Sequence, residues 1–271
     1  MSATRQPPSS RARSRPRARA PQAVRVHSLA PLGAAPIRFD AQRRCFCAGP
    51  VPLAGAHPTL DRLYGHPERL RGTFDDQHNF RRGNSIAPDL QKWIASGGDE
   101  AAIRQSGMGI WAATVARLVL AQGWTPKRAE LPVGHLGLRL GTAVDLFCTD
   151  MTGQGVLIEV KLHGNANWQD ASTKTLRLCV GHEGGRPVEL VCGYTARLRA
   201  FLQLQLTKLL FLKTFPTMQV SGCYVVRVTR VRAREVGAAL MRAPDWLDAV
   251  GEHDLKPRLL GTHPALTQPE L

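Results

Sequence analysis

Long uncharged stretches are missing from this chain. No run of about eighteen apolar residues occurs, and the most apolar helical candidate, near Ile110–Ala121, is interrupted by Arg117. A membrane-spanning helix is therefore not expected. Acidic residues are absent from the first 39 positions. The motifs that mark several enzyme classes are also missing: there is no P-loop, no zinc-protease helix and no nucleophile elbow. The six cysteines, Cys45, Cys47, Cys148, Cys179, Cys192 and Cys223, follow neither a disulfide framework nor a zinc pattern, and no secretory signal precedes them. A reducing intracellular compartment is the expectation, nucleus or cytoplasm, with organelle import the alternative. Cys45 and Cys47, followed by His57 and His66, form the one weak metal-type grouping. No internal repeat is evident.

What is present is positive charge. The 271 residues carry a formal net charge of +15, which points to a polyanionic partner, nucleic acid first and an acidic membrane surface second. Residues 1–44 hold ten arginines against one acid, Asp40. Arg, Ser, Ala and Pro dominate residues 1–36, so a disordered basic tail is expected there. Three readings of it compete: a nuclear-localisation or nucleic-acid-binding arm, an organelle transit peptide, or a solubilising tail. Its prolines argue against the amphipathic helix of a mitochondrial presequence, which favours the arm.

Length allows one or two domains, and a hydrophobic content of 43% suits a globular core. Residues 37–98 read as a partly helical extension, with short helices around Thr59–Tyr64 and Asp89–Ala95. Within it, Asn79–Asn84 (NFRRGN) reads as a loop, where Arg81 and Arg82 are available to hold phosphates. From Asp99, a plausible N-cap, apolar residues at helical spacing run to Gln122, and Gly123 is a natural stop. Strands are expected at Arg128–Val133, Leu136–Cys148 and Gly155–Leu162, the last two joined as a hairpin by Asp150–Gly155 (DMTGQG). A polar loop, 163–174, a strand at Val188–Cys192 and a long helix at Thr195–Lys213 follow. A strand at Gln219–Thr229, a last helix at Glu235–Val250 and a tail over 251–271 complete the reading. The main domain is thus placed at 99–250.

The segment Gly141–Lys161 (GTAVDLFCTDMTGQGVLIEVK) is the most informative. Strand side chains alternate faces, so Glu159 and Lys161 point one way while Ile158, Val160 and Leu162 point the other. Asp145 sits in a similar apolar run. Charges in such strands are unfavourable unless paired or bound to metal. Two carboxylates and a lysine suit metal-assisted phosphodiester hydrolysis. Magnesium takes hard oxygen ligands and acidifies a bound water, and an ammonium offsets developing negative charge.

With Asp145 inside GTAVD, Glu159-Val-Lys161 on the next strand, and the order helix, three strands, helix, strand, the sequence resembles the PD-(D/E)XK nuclease superfamily, over roughly residues 99–229. The branch it looks closest to is the exonuclease-like one related to RecB and phage lambda exonuclease. The resemblance implies an α/β restriction-endonuclease-like core, a mixed central sheet flanked by helices. It implies magnesium, or manganese, held by Asp145, Glu159 and the carbonyl of Val160, with Lys161 assisting the attacking water. Relatives place a glutamine on the following helix in a Gln-x-x-x-Tyr motif. Here Gln203 matches, Thr207 stands where tyrosine is expected, and Gln205 competes. Relatives also carry a glutamate on the first core helix; Ala101–Gln122 has no acid, which leaves Glu100 or Glu130 as substitutes.

His163, Asn165, Asn167 and Trp168 are placed to line a substrate groove, Trp168 by stacking on a base, or to form an ordinary polar loop around one buried tryptophan. Arg197 and Arg199 are phosphate contacts or a solvated helix face. The expected function is a metal-dependent nuclease acting on DNA, in repair, recombination or viral genome processing. The alternatives are a catalytically inactive nucleic-acid-binding protein of the same fold, or a basic interaction protein whose hairpin charges form only an ion pair.

Overall fold

The hairpin that carries Asp145 and Glu159 lies at the centre of an eight-stranded mixed sheet. The structure is a computed structural model, and it describes residues 36–65, 76–104, 108–163, 168, 174–232 and 235–262. Three short strands open it, β1 (Ile37–Asp40), β2 (Cys45–Ala48) and β3 (Val51–Gly55), then helices α1 (Ala56–Tyr64), α2 (Asp76–Ala95), α3 (Ala101–Arg104) and α4 (Gly109–Ala121). Strands β4 (Thr125–His135), β5 (Leu140–Thr149) and β6 (Gly155–His163) come next. After them stand a separate hairpin, β7 (Thr175–Glu183) and β8 (Arg186–Gly193), the long helix α5 (Ala196–Thr214), and strands β9 (Val220–Arg232) and β10 (Glu235–Arg242). The chain closes on α6 (Trp246–Val250), a π-helical turn (Gly251–Leu255) and α7 (Lys256–Thr262). Among the described residues, no helix is long and apolar enough to cross a membrane.

Local chemistry explains the central elements. Asp150 Oδ1 accepts from the amides of Thr152 and Gln154 and from the Thr152 hydroxyl, which closes the β5–β6 turn as its sequence requires. The Thr195 hydroxyl caps α5 by accepting from the Leu198 amide at 3.2 Å. Gly123 ends α4 with φ at +73°. Even-numbered residues of β6 and β9, including Ile158, Val226 and Val228, pack with Trp93, Trp111, Val115 and Val119 of α2 and α4. The opposite face meets α5, where Phe147 and Phe211 stack at 5.3 Å.

Several sequence expectations change. The helix expected over Glu235–Val250 is strand β10 followed by α6. Val236, Ala238 and Leu240 pack at period two against the core, because the long edge of β9 takes a partner there and pairing overrides the helix propensity of Glu, Ala, Leu and Met. The expected tail contains α7, with Leu255 and Leu259 fully buried. NFRRGN lies within α2 rather than in a loop; the side chains of Arg81 and Arg82 are outside the described set. The extension contributes β1–β3 to the sheet, and the strand at Val188–Cys192 proves to be half of a hairpin whose other half, β7, was not expected. The helix expected from Asp99 divides into α3 and α4, with the Asp99 carboxylate accepting from the Ala101 amide at 2.8 Å. The tail expected over residues 1–36 lies outside the described residues, apart from Pro36.

Candidate active site

The site arises from a break in strand pairing. Along one edge, β5 pairs with β4 from end to end. Along its other edge β5 pairs with β6 only from Leu146↔Ile158 to Thr149↔Gly155, and with β3 only at Leu140 and Gly141. Between Gly141 and Leu146 that edge is open, and Asp145 stands at its margin. Gly141 is required where β3 closes in, since a Cβ there would lie 2.7 Å from Phe46 and 2.9 Å from Leu53.

Past Ile158, β6 has left β5, and the amide of Val160 needs a new acceptor. Asp145 Oδ2 supplies it at 2.7 Å. In an extended strand one residue's N–H and C=O point to the same side, so the Val160 carbonyl opens on the same gap. The neighbouring side chain, Glu159, is 2% exposed. Its Oε1 accepts from Lys161 Nζ at 2.6 Å and from Gln203 Nε2 at 2.6 Å. Gln203 Oε1 in turn accepts from Lys161 Nζ at 2.9 Å. The three side chains therefore form a closed triangle between β6 and α5. Glu159 Oε2 is buried with no hydrogen-bond partner.

Electrostatics agree with that geometry. Burial and then the Glu159 charge, with a smaller push from Glu130, raise the Asp145 pKa well above the usual carboxylate range, against the opposing pull of Lys161 and the Val160 amide. Burial and Glu159 also raise Glu130. The Glu159 charge thus raises both neighbouring carboxyls, with Lys161 as the cation that opposes it at Asp145. An unpartnered Glu159 oxygen, the Asp145 carboxylate within reach of the Glu159 charge and the Val160 carbonyl beside Asp145 make a hard-oxygen donor set of the kind magnesium or manganese takes. The residues present fit such an ion. Among the described residues, no three His, Cys, Asp or Glu side chains converge as a ligand group, so the fit rests on two carboxylates and the carbonyl.

Neither a protein-family model nor a curated protein matches this chain. A solved structure described as "Crystal structure of SSO0001" is similar at 11% identity over 80% of this chain and 86% of that one. Its TM-score is 0.23, a value that carries no argument about fold or function.

Of the two glutamines the sequence offered, Gln203 reaches the site. Gln205 is also buried but packs against Gly251. Thr207, in the expected tyrosine position, is buried with its hydroxyl unpartnered. Glu130 has a positive φ of 51° and falls opposite Asp145, between the pairs Ala129↔Leu146 and Leu131↔Val144. Its side chain lines a surface groove with Lys127 and Arg128, so it adds negative field to the pair. Glu100 is engaged by Arg117 of α4 at 3.5 Å, in the helical layer on the other face.

The proposed substrate contacts divide. Arg197 is exposed on α5. Arg199 is ion-paired to Asp61 of α1 at 2.7 Å, and so joins two helices instead of presenting a solvated charge. Trp168 is 2% exposed, with the Arg227 guanidinium over its ring, and has no free face for a base. Asn165 and Asn167 are outside the described residues, as is the side chain of His163. His57, considered in the sequence only as a zinc ligand, stands at the start of α1. Desolvation by the surrounding protein, with the charges of Lys161 and Arg199, lowers its pKa to about 3, although the residue is exposed. Only its proximity in space links it to the site, and no sequence pattern signals that. Cys45 and Cys47 hold their sulfurs 3.7 Å apart, and His66 is outside the described residues.

Proposed function

We propose that this protein is a magnesium- or manganese-dependent nuclease that hydrolyses phosphodiester bonds of DNA, on a restriction-endonuclease-like core of the PD-(D/E)XK type. The observation that carries the proposal is the asymmetry of Glu159: Lys161 and Gln203 both occupy Oε1, while Oε2 is buried and unpartnered, and the Glu159 charge acts on Asp145. The order α4, β4, β5, β6, α5, β9 supports the same reading, with β7–β8 as an insertion.

Asp145, Glu159 and the Val160 carbonyl would hold the ion. When bound, it supplies Lewis-acid stabilisation of the scissile phosphate and lowers the pKa of a water. Lys161 is held by two acceptors, so its ammonium is oriented before substrate arrives. Its remaining proton is available to an attacking water or to a phosphate oxygen. Gln203 fixes both partners of that pair, and it keeps Glu159 Oε1 from turning into the gap. The basic surface supplies salt-sensitive affinity for the backbone.

The test is cleavage of labelled single-stranded, double-stranded and branched DNA, in magnesium or EDTA, by wild type and Lys161→Ala. Metal-dependent cutting that the substitution abolishes is the expected result. Cutting that survives in Lys161→Ala places the chemistry elsewhere. Tight, salt-sensitive binding with no cutting by wild type selects an inactive nucleic-acid-binding protein, the reading favoured by the lack, among the described residues, of three side chains that converge as metal ligands.

A further inference from the structure

Strand β9 brings a second cation to this site. β6 and β9 run parallel, with Glu159 opposite Val225 and Lys161 opposite Arg227. Ladder partners share a face and adjacent strands lie about 4.8 Å apart, so Arg227 stands beside Lys161 on the α5 side. Its guanidinium lies 5.6 Å from the centre of the Trp168 ring. Its Nε is buried and has no hydrogen-bond partner.

The charge balance around it is uneven. Lys161, Arg199, Lys208 and Arg258 each meet a carboxylate. Among the described residues none meets Arg227. The indole holds the guanidinium by its face, but a ring face leaves the N–H donors unsatisfied. A half-buried guanidinium whose Nε is buried and unmatched, with no carboxylate beside it among the described residues, gains from an anion that arrives from outside. Lys161 is already neutralised by Glu159, so the net attraction at this spot belongs to Arg227.

We propose that Arg227 binds the non-bridging oxygens of a backbone phosphate adjacent to the scissile one, with Trp168 as the platform that fixes the plane of its guanidinium. The planar fork of arginine suits two phosphate oxygens at once. The identity of the anion rests on the nuclease reading; the need for an anion rests on the geometry alone. Arg227 thereby contributes affinity and register, whereas the Glu159–Lys161–Gln203 triangle contributes chemistry.

The test uses the full-length protein and a fluorescent DNA oligonucleotide in EDTA, so that binding is read without cleavage. Arg227→Gln is expected to weaken binding about tenfold and to lower the slope of log affinity against log salt by about one. Arg227→Lys is expected to keep the slope and lose part of the affinity, because a point charge does not grip two oxygens. Replacing backbone phosphates one at a time by neutral methylphosphonates should weaken wild type most at a single position, and Arg227→Gln should be indifferent at that position. The inference is overturned if Arg227→Gln keeps its melting temperature and its salt slope, or if its methylphosphonate profile equals that of wild type. Should Arg227→Gln fail to fold, the Arg227→Lys profile decides: the same sensitive position supports the contact, and an unchanged affinity for every oligonucleotide removes it. Arg227-dependent binding without magnesium-dependent cleavage would refute the nuclease reading alone. Cleavage with an Arg227-independent salt slope would refute this inference alone.

Discussion

Gln203→Leu is the perturbation that tests the triangle most directly. It preserves approximate volume and apolar packing on α5 while removing two charge-assisted hydrogen bonds, one to Glu159 at 2.6 Å and one from Lys161 at 2.9 Å. Each bond of this kind contributes about 1.5–3 kcal/mol. The two losses are unequal, because the Lys161 side chain is 19% exposed and water can replace its partner, whereas Glu159 is 2% exposed. The net loss should therefore be about 2–3 kcal/mol, dominated by Glu159. For a domain of this size that lowers Tm by about 4–12 °C. With its orienting partner gone, the ammonium samples more positions, and magnesium-dependent kcat should fall about 10–100-fold. Gln205→Leu is the control. Gln205 is equally buried but packs on Gly251, so it should lower Tm without changing kcat per folded molecule. Thermal unfolding and single-turnover cleavage, run side by side, separate the two effects. A Gln203→Leu protein with wild-type kcat, or a Gln205→Leu protein that folds but has lost kcat, would refute the assignment.

Three further outcomes follow from the geometry. Gly251→Ala should destabilise the π-helical turn, because a Cβ there collides with the Gln205 amide; Gln205→Ala in the same chain should restore most of the lost Tm. Asp254 is 4% exposed and accepts from the Tyr64 hydroxyl, the Cys179 amide and Arg258, so Asp254→Ala should cost about 3–5 kcal/mol, read as a lower urea midpoint. Asp145 and Glu130 have raised pKa values in the fold, so in EDTA the stability they contribute is complete at pH values below the ordinary carboxylate range and declines as pH rises through their elevated values. Magnesium favours the ionised forms, so the Tm increment it gives should grow with pH over that window. A metal increment independent of pH in calorimetry would argue against ligation by Asp145.

The part of the site written in local pattern was legible in the sequence. Asp145, Glu159 and Lys161 share a face because strand side chains alternate, and the Asp150–Gly155 turn fixed their hairpin before any tertiary contact was known. Gln203 and Gln205 were harder to separate. They are about 200° apart around a helix, but α5 is buried on nearly all sides, so apolar periodicity gave no inner face to choose. Arg199 read as surface charge because its partner, Asp61, lies 138 residues away on a helix that crosses α5. The β10 error has the same origin, since only the unpaired edge of β9 makes Glu235–Arg242 extended. Strands of four or five residues, such as β1–β3, carry too little periodicity to register. Arg227 was invisible for a comparable reason, because its place beside Lys161 depends on the parallel register of β6 and β9.

That dependence bears on the rival in which Glu159 and Lys161 form only a structural ion pair. A buried pair kept for stability gains most when every polar atom is matched, and native interiors leave few carboxylate oxygens without a donor. Here the two available donors converge on one oxygen, and the other is buried and unmatched. A second carboxylate is held nearby by a backbone amide where the sheet opens, although proximity to Glu159 opposes its ionisation. Each choice lowers the stability of the metal-free fold, and together they collect oxygen ligands at one gap. Departures from local consistency concentrate at functional sites. Concentrated here at Asp145, Glu159 and the Val160 carbonyl, with Lys161 oriented beside them, they favour a site built to receive a cation and a phosphate over one built to close a core.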